Sequence, residues 1–112
     1  MYTYIVECAD GSLYTGIAAD IKRRMREHLG NEKSGAKYTR SHHPTQVRAA
    51  WKSENRSTAS KLEFYIKKLP REKKLQLIST HNLSMLSDAI DPKNYTVASE
   101  FIGKIPELTD AF

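Results

Sequence analysis

Cysteine, long apolar runs and a signal-like N-terminus are scarce or missing in this sequence of 112 residues. The single cysteine, Cys8, excludes a disulfide bond within the chain, and no Cys/His pairing has zinc-finger spacing. No apolar run approaches the roughly 20 residues that a membrane-spanning helix needs. The N-terminus has neither the basic start nor the apolar core of a signal peptide. We therefore expect a cytoplasmic protein, since unpaired cysteine is usual in a reducing compartment.

Acidic residues are also too few to balance the basic ones. The chain holds 18 Lys and Arg against 13 Asp and Glu, a net charge of +5 with a pI near 9.4. Residues 1–79 carry a net charge of +8, whereas residues 80–112 carry −3. A basic body suits a polyanionic partner such as nucleic acid, although many soluble proteins are basic without one. The length predicts one core domain, with residues 80–112 as a mildly acidic extension.

Two segments rich in Tyr, Ile, Val and Thr open the chain. They span residues 2–8 and 12–17, and the Asp-Gly pair at residues 10–11 is a strong signal for a tight turn. These signals predict a β-hairpin. Tyr4 and Tyr14 share the two-residue period of their strands, which would place both on one face across the turn. The alternative is that they are ordinary strand aromatics.

Capping signals and apolar spacing predict the remaining elements. Asp20 is the candidate N-cap of the first helix, and Ser57 or Thr58 is that of the second. Pro70 fits the first position of the third helix. The predicted elements are a helix over 21–29, a strand over 46–52, a helix to about 69, and a helix over about 70–79 with Leu75 and Ile78 inward. The order β-β-α-β-α-α predicts an α+β fold, in which helices flank a small three-stranded antiparallel β-sheet.

An arginine and a histidine lie at the edge of the first predicted helix's apolar stripe. Arg24 and His28 are one helical turn apart, beside Ile21 and Met25. Packing holds side chains at such an edge in place, which a functional group requires. An arginine that covers the core and a hydrogen-bonded histidine explain the same spacing without any function.

A carboxylate lies at the edge of the second predicted helix's apolar stripe. Glu63 is next to the stripe formed by Ala59, Leu62 and Ile66. Carboxylate oxygens suit Mg²⁺ or Mn²⁺, so Glu63 is a candidate metal ligand or catalytic base. An ion pair with Lys67, one turn later, explains this position equally well.

Taken together, these residues resemble a GIY-YIG nuclease domain over about residues 1–79. Residues 2–4 (YTY) stand where the G-I-Y triplet would be, and residues 14–16 (YTG) stand where Y-I-G would be. The family's helix motif N-L-x-x-R-x-x-x-H resembles residues 20–28, with its Arg and His in place. Glu63 fits the single glutamate of a later helix. The Gly and Ile of the first triplet and the Ile of the second are replaced, but both tyrosines remain.

The resemblance implies hydrolysis of a DNA phosphodiester bond with one divalent metal ion, Mg²⁺ or Mn²⁺. Glu63 would hold the metal, and Arg24 would bind phosphate oxygens. Tyr4 would take the proton from the attacking water, which requires the metal and Arg24 to lower its pKa below the ordinary value of about 10. Tyr14 and His28 would orient the water or the phosphate, or relay the proton. The residues alone do not decide which tyrosine is the base.

Further residues of the resemblance suggest contacts with nucleic acid. Gly16, at the exit of the second strand, would allow close approach of backbone or substrate. Lys37, Tyr38 and Arg40 lie in a segment similar to small stand-alone bacterial members of the family. They would contact phosphates, and Tyr38 would be available for base stacking. A solvated basic turn explains this segment equally well.

The sequence leaves three classes of function open. The first is a metal-dependent DNA endonuclease, structure-selective and linked to repair or recombination. The alternative is a nucleic-acid-binding module with little or no turnover that acts with a partner, and the third is a protein-interaction adaptor. The acidic extension offers no electrostatic clamp for DNA, so substrate recognition would be weak, directed by DNA structure or supplied by a protein partner. The choice between DNA and RNA and the oligomeric state do not follow from the sequence.

Overall fold

The Asp-Gly signal produces the predicted hairpin. In the computed structural model, which describes residues 1–30 and 43–108, β1 spans Tyr2–Cys8 and β2 spans Leu13–Ala18. Gly11 has a φ of 84°, a left-handed conformation that glycine adopts without steric cost. The Asp10 carboxylate accepts hydrogen bonds from the Ser12 amide at 3.0 Å and the Ser12 hydroxyl at 2.6 Å, which closes the turn.

The hairpin belongs to a five-stranded antiparallel sheet. The strand order is β2-β1-β3-β4, where β3 spans Pro44–Lys52 and β4 spans Thr96–Val97. β5 (Gly103–Lys104) also pairs with β3. The predicted three-stranded sheet is thus too small, because strands of two residues leave no alternating pattern in a sequence. The six long elements occur in the predicted order, and the short C-terminal elements extend it.

In the described part of the chain, three long helices accompany this sheet: α1 (Ile21–Gly30), α2 (Arg56–Lys67) and α3 (Arg71–Thr80). The carboxylate of Asp20 accepts a hydrogen bond from the backbone amide of Arg23 at 3.1 Å, which confirms the predicted cap of α1.

The predicted cap of α2 is wrong. The Asn55 side chain accepts the Thr58 amide at 2.9 Å, so the helix begins before Ser57 and ends at Lys67 rather than near residue 69. Asn is as good an N-cap as Ser, and several polar residues in succession do not reveal which one caps.

The third helix also differs from its prediction in two details. Pro70 is the N-cap, with extended backbone at ψ 159°, rather than the first helical residue. Leu75 is 39% exposed, whereas Leu77 and Ile78 are buried. The apolar residues of α3 do not form one clean stripe, so packing against the rest of the core decides which of them turn inward.

The sheet separates two hydrophobic clusters, because successive residues of a strand face opposite sides. Ile5 and Trp51 pack with Leu62 and Ile66 of α2 on one side. Tyr4 belongs to the cluster on the other side, which also holds Ile21 and Met25 of α1.

Residues beyond the predicted core domain take part in both clusters. Leu83, Leu86 and Ile90 join the cluster of α2, and Ala98 and Ile105 join the cluster of α1. A short helix, α4, spans Ile105–Leu108. None of the helices in the described part of the chain is long and apolar enough to cross a lipid bilayer.

Candidate active site

Two tyrosines lie on the same face of the hairpin, as the two-residue period predicts. Tyr4 is opposite Gly16, and Tyr14 is opposite Val6, in the register of β1 and β2. Directly opposed residues in an antiparallel pair point to the same side of the sheet. Tyr4 is completely buried because β1 is an inner strand, whereas Tyr14 is 41% exposed on the edge strand β2.

Gly16 makes room for the ring of Tyr4. A Cβ atom at position 16 would lie 2.6 Å from the Tyr4 hydroxyl oxygen and 2.7 Å from its Cζ atom. It would also lie 3.2 Å from a ring carbon of Tyr14. These separations are too short for any side chain, so glycine at this position allows the phenol of Tyr4 to lie against the backbone of β2. The structure thus gives Gly16 a packing role, beside its predicted role in substrate approach.

The Tyr4 hydroxyl is buried and has no hydrogen-bond partner among the described residues. Burial, with smaller contributions from the negative charges of Tyr14 and Glu63, raises the pKa of Tyr4 to about 12. The guanidinium of Arg24 is near enough to oppose this rise, although no hydrogen bond of normal geometry joins the two groups. In the protein without a metal ion the pKa of Tyr4 is therefore raised, whereas its predicted role as a base requires the metal and Arg24 to lower it. This tyrosine holds its proton at neutral pH.

A pocket of about 400 Å³ opens along β2 and brings together four of the predicted site residues. Tyr14 and Gly16 line it from the strand, Arg24 lines it from α1, and Glu63 lines it from α2. Buried Ile21 and Met25 hold α1 against the sheet and leave Arg24 beside the buried stripe, as predicted.

Glu63 faces the pocket and also forms the predicted ion pair. Its side chain is 22% exposed, and its Oε2 atom lies 3.3 Å from the Nζ atom of Lys67. The two alternatives for Glu63 therefore do not exclude each other. The carboxylate already lies next to a cation, and Lys67, with its side chain 52% exposed, is free to turn into solvent.

Among the other residues that line the pocket, two polar ones on α2 were not predicted from the sequence. Arg56 and Ser60 lie on α2 together with Glu63. Positions 56, 60 and 63 follow helical spacing, so one face of the helix presents all three. The sequence contains this spacing, but the spacing indicates a shared site only because Glu63 faces an open pocket in the structure.

The remaining predicted site residues lie outside the part of the chain whose side chains are described. His28 is in α1, one turn after Arg24, and only its backbone is described. Lys37, Tyr38 and Arg40 fall between residues 30 and 43. Their proposed contacts with water, phosphate and bases stay predictions.

The donor atoms of the pocket fit a magnesium-like ion better than a zinc-like one. Mg²⁺ keeps several waters and is commonly held by one or two carboxylates together with substrate phosphates. Glu63 supplies one carboxylate, and the open pocket leaves room for water and phosphate. Among the described residues no group of three or more His, Cys, Asp or Glu side chains could form an all-protein cage. Glu63 is therefore the candidate ligand.

Comparison with known proteins extends these observations to a family. A model of the GIY-YIG catalytic domain matches residues 1–76. A UPF0213 protein from Halalkalibacterium halodurans is 44% identical over 78 residues, which cover 70% of this chain and 81% of that protein. A UPF0213 protein from Staphylococcus saprophyticus is 49% identical over 78 residues, covering 70% and 93% of the two chains.

A UPF0213 protein from Haloquadratum walsbyi is 51% identical over 76 residues, covering 68% of this chain and 83% of that protein. The solution NMR structure of a UPF0213 protein from Bacillus halodurans matches with 44% identity and a TM-score of 0.45. This match covers 70% of this chain and 81% of that one. Because the family model matches well over half of its residues, the chain belongs to the GIY-YIG catalytic domain family, a family of nucleases.

Proposed function

We propose that this chain is a metal-dependent endonuclease that hydrolyses phosphodiester bonds of DNA. The observation that carries the proposal is the convergence of Tyr14, Arg24 and Glu63 on one pocket. These residues come from a strand and two helices, and they combine a phenol to orient the water and relay its proton, a cation for phosphate and a carboxylate for a metal. Phosphodiester hydrolysis requires these three kinds of group.

Two arginines on different helices are suited to hold the substrate. The planar guanidinium of Arg24 matches two oxygens of a phosphate. Arg56 lines the same pocket from α2, so it is placed to bind a second phosphate of the strand. Glu63 would hold one Mg²⁺ or Mn²⁺, which would help to neutralise the charge that develops on the phosphate oxygens.

The two tyrosines are assigned different tasks. Tyr4 is protonated, so we assign it a hydrogen bond donated to a phosphate oxygen or to the attacking water. Tyr14 lines the pocket, and we assign it the task of orienting that water and relaying its proton to solvent. The water oxygen then forms a bond to phosphorus, the bond to the leaving sugar oxygen breaks, and solvent supplies the proton that the leaving oxygen needs.

The proposal extends to structure-selective cleavage in DNA repair or recombination. The chain carries its net positive charge in residues 1–79, and residues 80–112 are net negative. Without a second basic region, affinity for long duplex DNA would be modest. Such an enzyme would recognise branched or nicked DNA by its shape, or would obtain its specificity from a protein partner. We place it in the cytoplasm on the grounds of its single, unpaired cysteine.

A cleavage assay tests this function. Labelled single-stranded, duplex, flapped and four-way DNA, with matching RNA, would be incubated with Mg²⁺ or Mn²⁺ and with wild-type protein, Glu63→Gln or Glu72→Gln. Glu72 lies in the first turn of α3 and provides a matched control. We expect wild type and Glu72→Gln to cleave DNA, and Glu63→Gln to bind DNA without cleaving it.

Other outcomes would redirect the proposal. Equal cleavage by Glu63→Gln and wild type would contradict the metal-ligand assignment. Salt-sensitive binding of DNA without cleavage by wild type would favour the nucleic-acid-binding module. Neither binding nor cleavage would favour the interaction adaptor.

A further inference from the structure

The first half of α2 receives hydrogen bonds from two side-chain hydroxyls that lie far apart in the sequence. The Thr3 hydroxyl donates to the backbone carbonyl of Ala59 at 2.9 Å. The Tyr95 hydroxyl donates to the backbone carbonyl of Thr58 at 2.7 Å. The first donor comes from β1 and the second from the segment that precedes β4, so two separate parts of the chain hold the same turn of the helix.

The turn that they hold is the one on which Glu63 is built. In an α-helix each amide donates to the carbonyl four residues earlier. The Ala59 carbonyl therefore accepts the amide of Glu63, and the Thr58 carbonyl accepts the amide of Leu62. Thr3 is completely buried, so its hydroxyl has no water to compete for this bond.

Tyr95 is itself fixed to the sheet. Its backbone amide donates to the carbonyl of Pro92 at 3.2 Å, which closes the turn before it. The next residues form β4, which pairs with the end of β3, and the Ala98 amide donates to the carbonyl of Ala50 at 2.8 Å. Tyr95 thus connects α2 to β4, which lies at the opposite edge of the sheet from β2. It lies beyond residues 1–76, the part of the chain that matches the family model.

We propose that Thr3 and Tyr95 are positioning residues. Their hydrogen bonds fix the position of α2 along the sheet and its rotation about its own axis, so that the Glu63 carboxylate points into the pocket. The C-terminal segment is then part of how this active site is built, rather than a separate extension. This inference rests on the proposed function, because it takes Glu63 to be the metal ligand.

The hydroxyls are tested by variants that remove little else. Tyr95→Phe and Thr3→Val each delete one hydroxyl, and Thr3→Ser restores one. Mn²⁺ binding to the full chain without DNA would be measured by electron paramagnetic resonance, and kcat and KM by DNA cleavage. We expect about tenfold weaker Mn²⁺ binding and about tenfold lower kcat, the lower end of the range for groups that orient a metal ligand. KM for DNA should not change, and Thr3→Ser should regain wild-type values.

Two control variants separate positioning from general loss of stability. Thr80→Val removes a hydroxyl that donates to a helix carbonyl, that of Gln76 at 3.2 Å, but it does so in α3. Tyr65→Phe removes a phenolic hydroxyl from α2 itself. Both controls should bind Mn²⁺ and cleave DNA like wild type. Equal losses in the controls and in the test variants would overturn the inference.

Amide hydrogen exchange provides a readout that needs no metal. Exchange at Leu62 and Glu63 should quicken in Tyr95→Phe and Thr3→Val, while exchange at Ile78 in α3 stays unchanged. Unaltered exchange together with unaltered Mn²⁺ binding would overturn the inference and leave the proposed function standing. Wild-type protein that neither binds Mn²⁺ nor cleaves DNA would overturn both.

Discussion

The strand side and the helix side of the pocket are built on different principles. On the strand side, packing fixes Tyr4 against Gly16: Tyr4 is completely buried, and its hydroxyl occupies the space that a Cβ of residue 16 would need. On the helix side, Arg24 and Glu63 are partly exposed. Each has a charged neighbour on its own helix, Glu27 at 3.7 Å from Arg24 and Lys67 at 3.3 Å from Glu63.

The two sides of the pocket therefore differ in rigidity. Moving a packed phenol disturbs the core, so the strand side offers one geometry. Partly exposed ion pairs contribute at most about 1 kcal/mol each, so Arg24 and Glu63 can exchange their partners for a phosphate or a metal at little cost. The strand side therefore shapes the pocket, and the helix side supplies the charges that, in the proposed function, meet the substrate.

The helix side should lose the most activity from a single change. We expect Arg24→Ala to lower kcat by about 10²-fold, since removal of a preorganised group that stabilises developing charge has effects of this size. Arg23→Ala is the matched control, because Arg23 also pairs with Glu27 but does not line the main pocket. Steady-state cleavage would be measured for both. A rise in KM alone would make Arg24 a docking residue only.

The strand side should lose stability instead. We expect Gly16→Ala to lower the free energy of unfolding by about 1 to 3 kcal/mol, the usual cost of forcing an extra group into a packed site. Urea denaturation would measure this loss. The double variant Tyr4→Phe/Gly16→Ala should recover part of it, because one of the two closest contacts at position 16 is with the Tyr4 hydroxyl. Wild-type stability in Gly16→Ala would contradict the packing role of the glycine.

Removal of the lysine next to Glu63 should have a smaller effect, which is tighter binding of the metal. In the proposed site Lys67 would compete with a metal ion for Glu63, so Lys67→Met should tighten Mn²⁺ binding by about threefold, in keeping with a partly exposed ion pair. Lys68→Met is the control, because the Lys68 ammonium lies over the ring of Phe64, at 4.3 Å from its centroid. Weaker binding in Lys67→Met would show that the lysine supports the site rather than competes for it.

The smallest expected effect concerns the titration of Tyr4, whose removal should leave the phenolate absorbance near pH 10 unchanged. The pKa of Tyr4 is about 12, above the ordinary value of 10.0, so the folded protein holds this proton more tightly than the unfolded chain does. Tyr4 thus favours folding below pH 10, and this contribution is lost as the pH rises through 12. We expect Tyr4→Phe and wild type to show the same phenolate absorbance at 295 nm between about pH 9 and pH 11. A loss of absorbance near pH 10 in the variant would contradict the raised pKa.

Local signals in the sequence were sufficient for much of this structure. The Asp-Gly turn, the two-residue period and the Asp20 cap each act over a few residues, so they predict the hairpin and the start of α1 correctly. Predictions failed where distant parts of the chain decide. Leu75 is exposed because packing around α3 selects its neighbours, and β4 and β5 exist only because β3 offers them an edge to pair with.

The candidate site divides in the same way. Spacing placed Tyr4, Tyr14, Arg24 and Glu63 on particular faces of their strands and helices, because a face follows from the sequence period, and the resemblance to the GIY-YIG family singled them out. The meeting of Tyr14, Arg24 and Glu63 in one pocket, the raised pKa of Tyr4 and the hydrogen bond from Tyr95 to α2 were decided by tertiary structure alone. Burial, the approach of charges and hydrogen bonds between distant segments depend on how the elements pack together, and no local pattern encodes that arrangement.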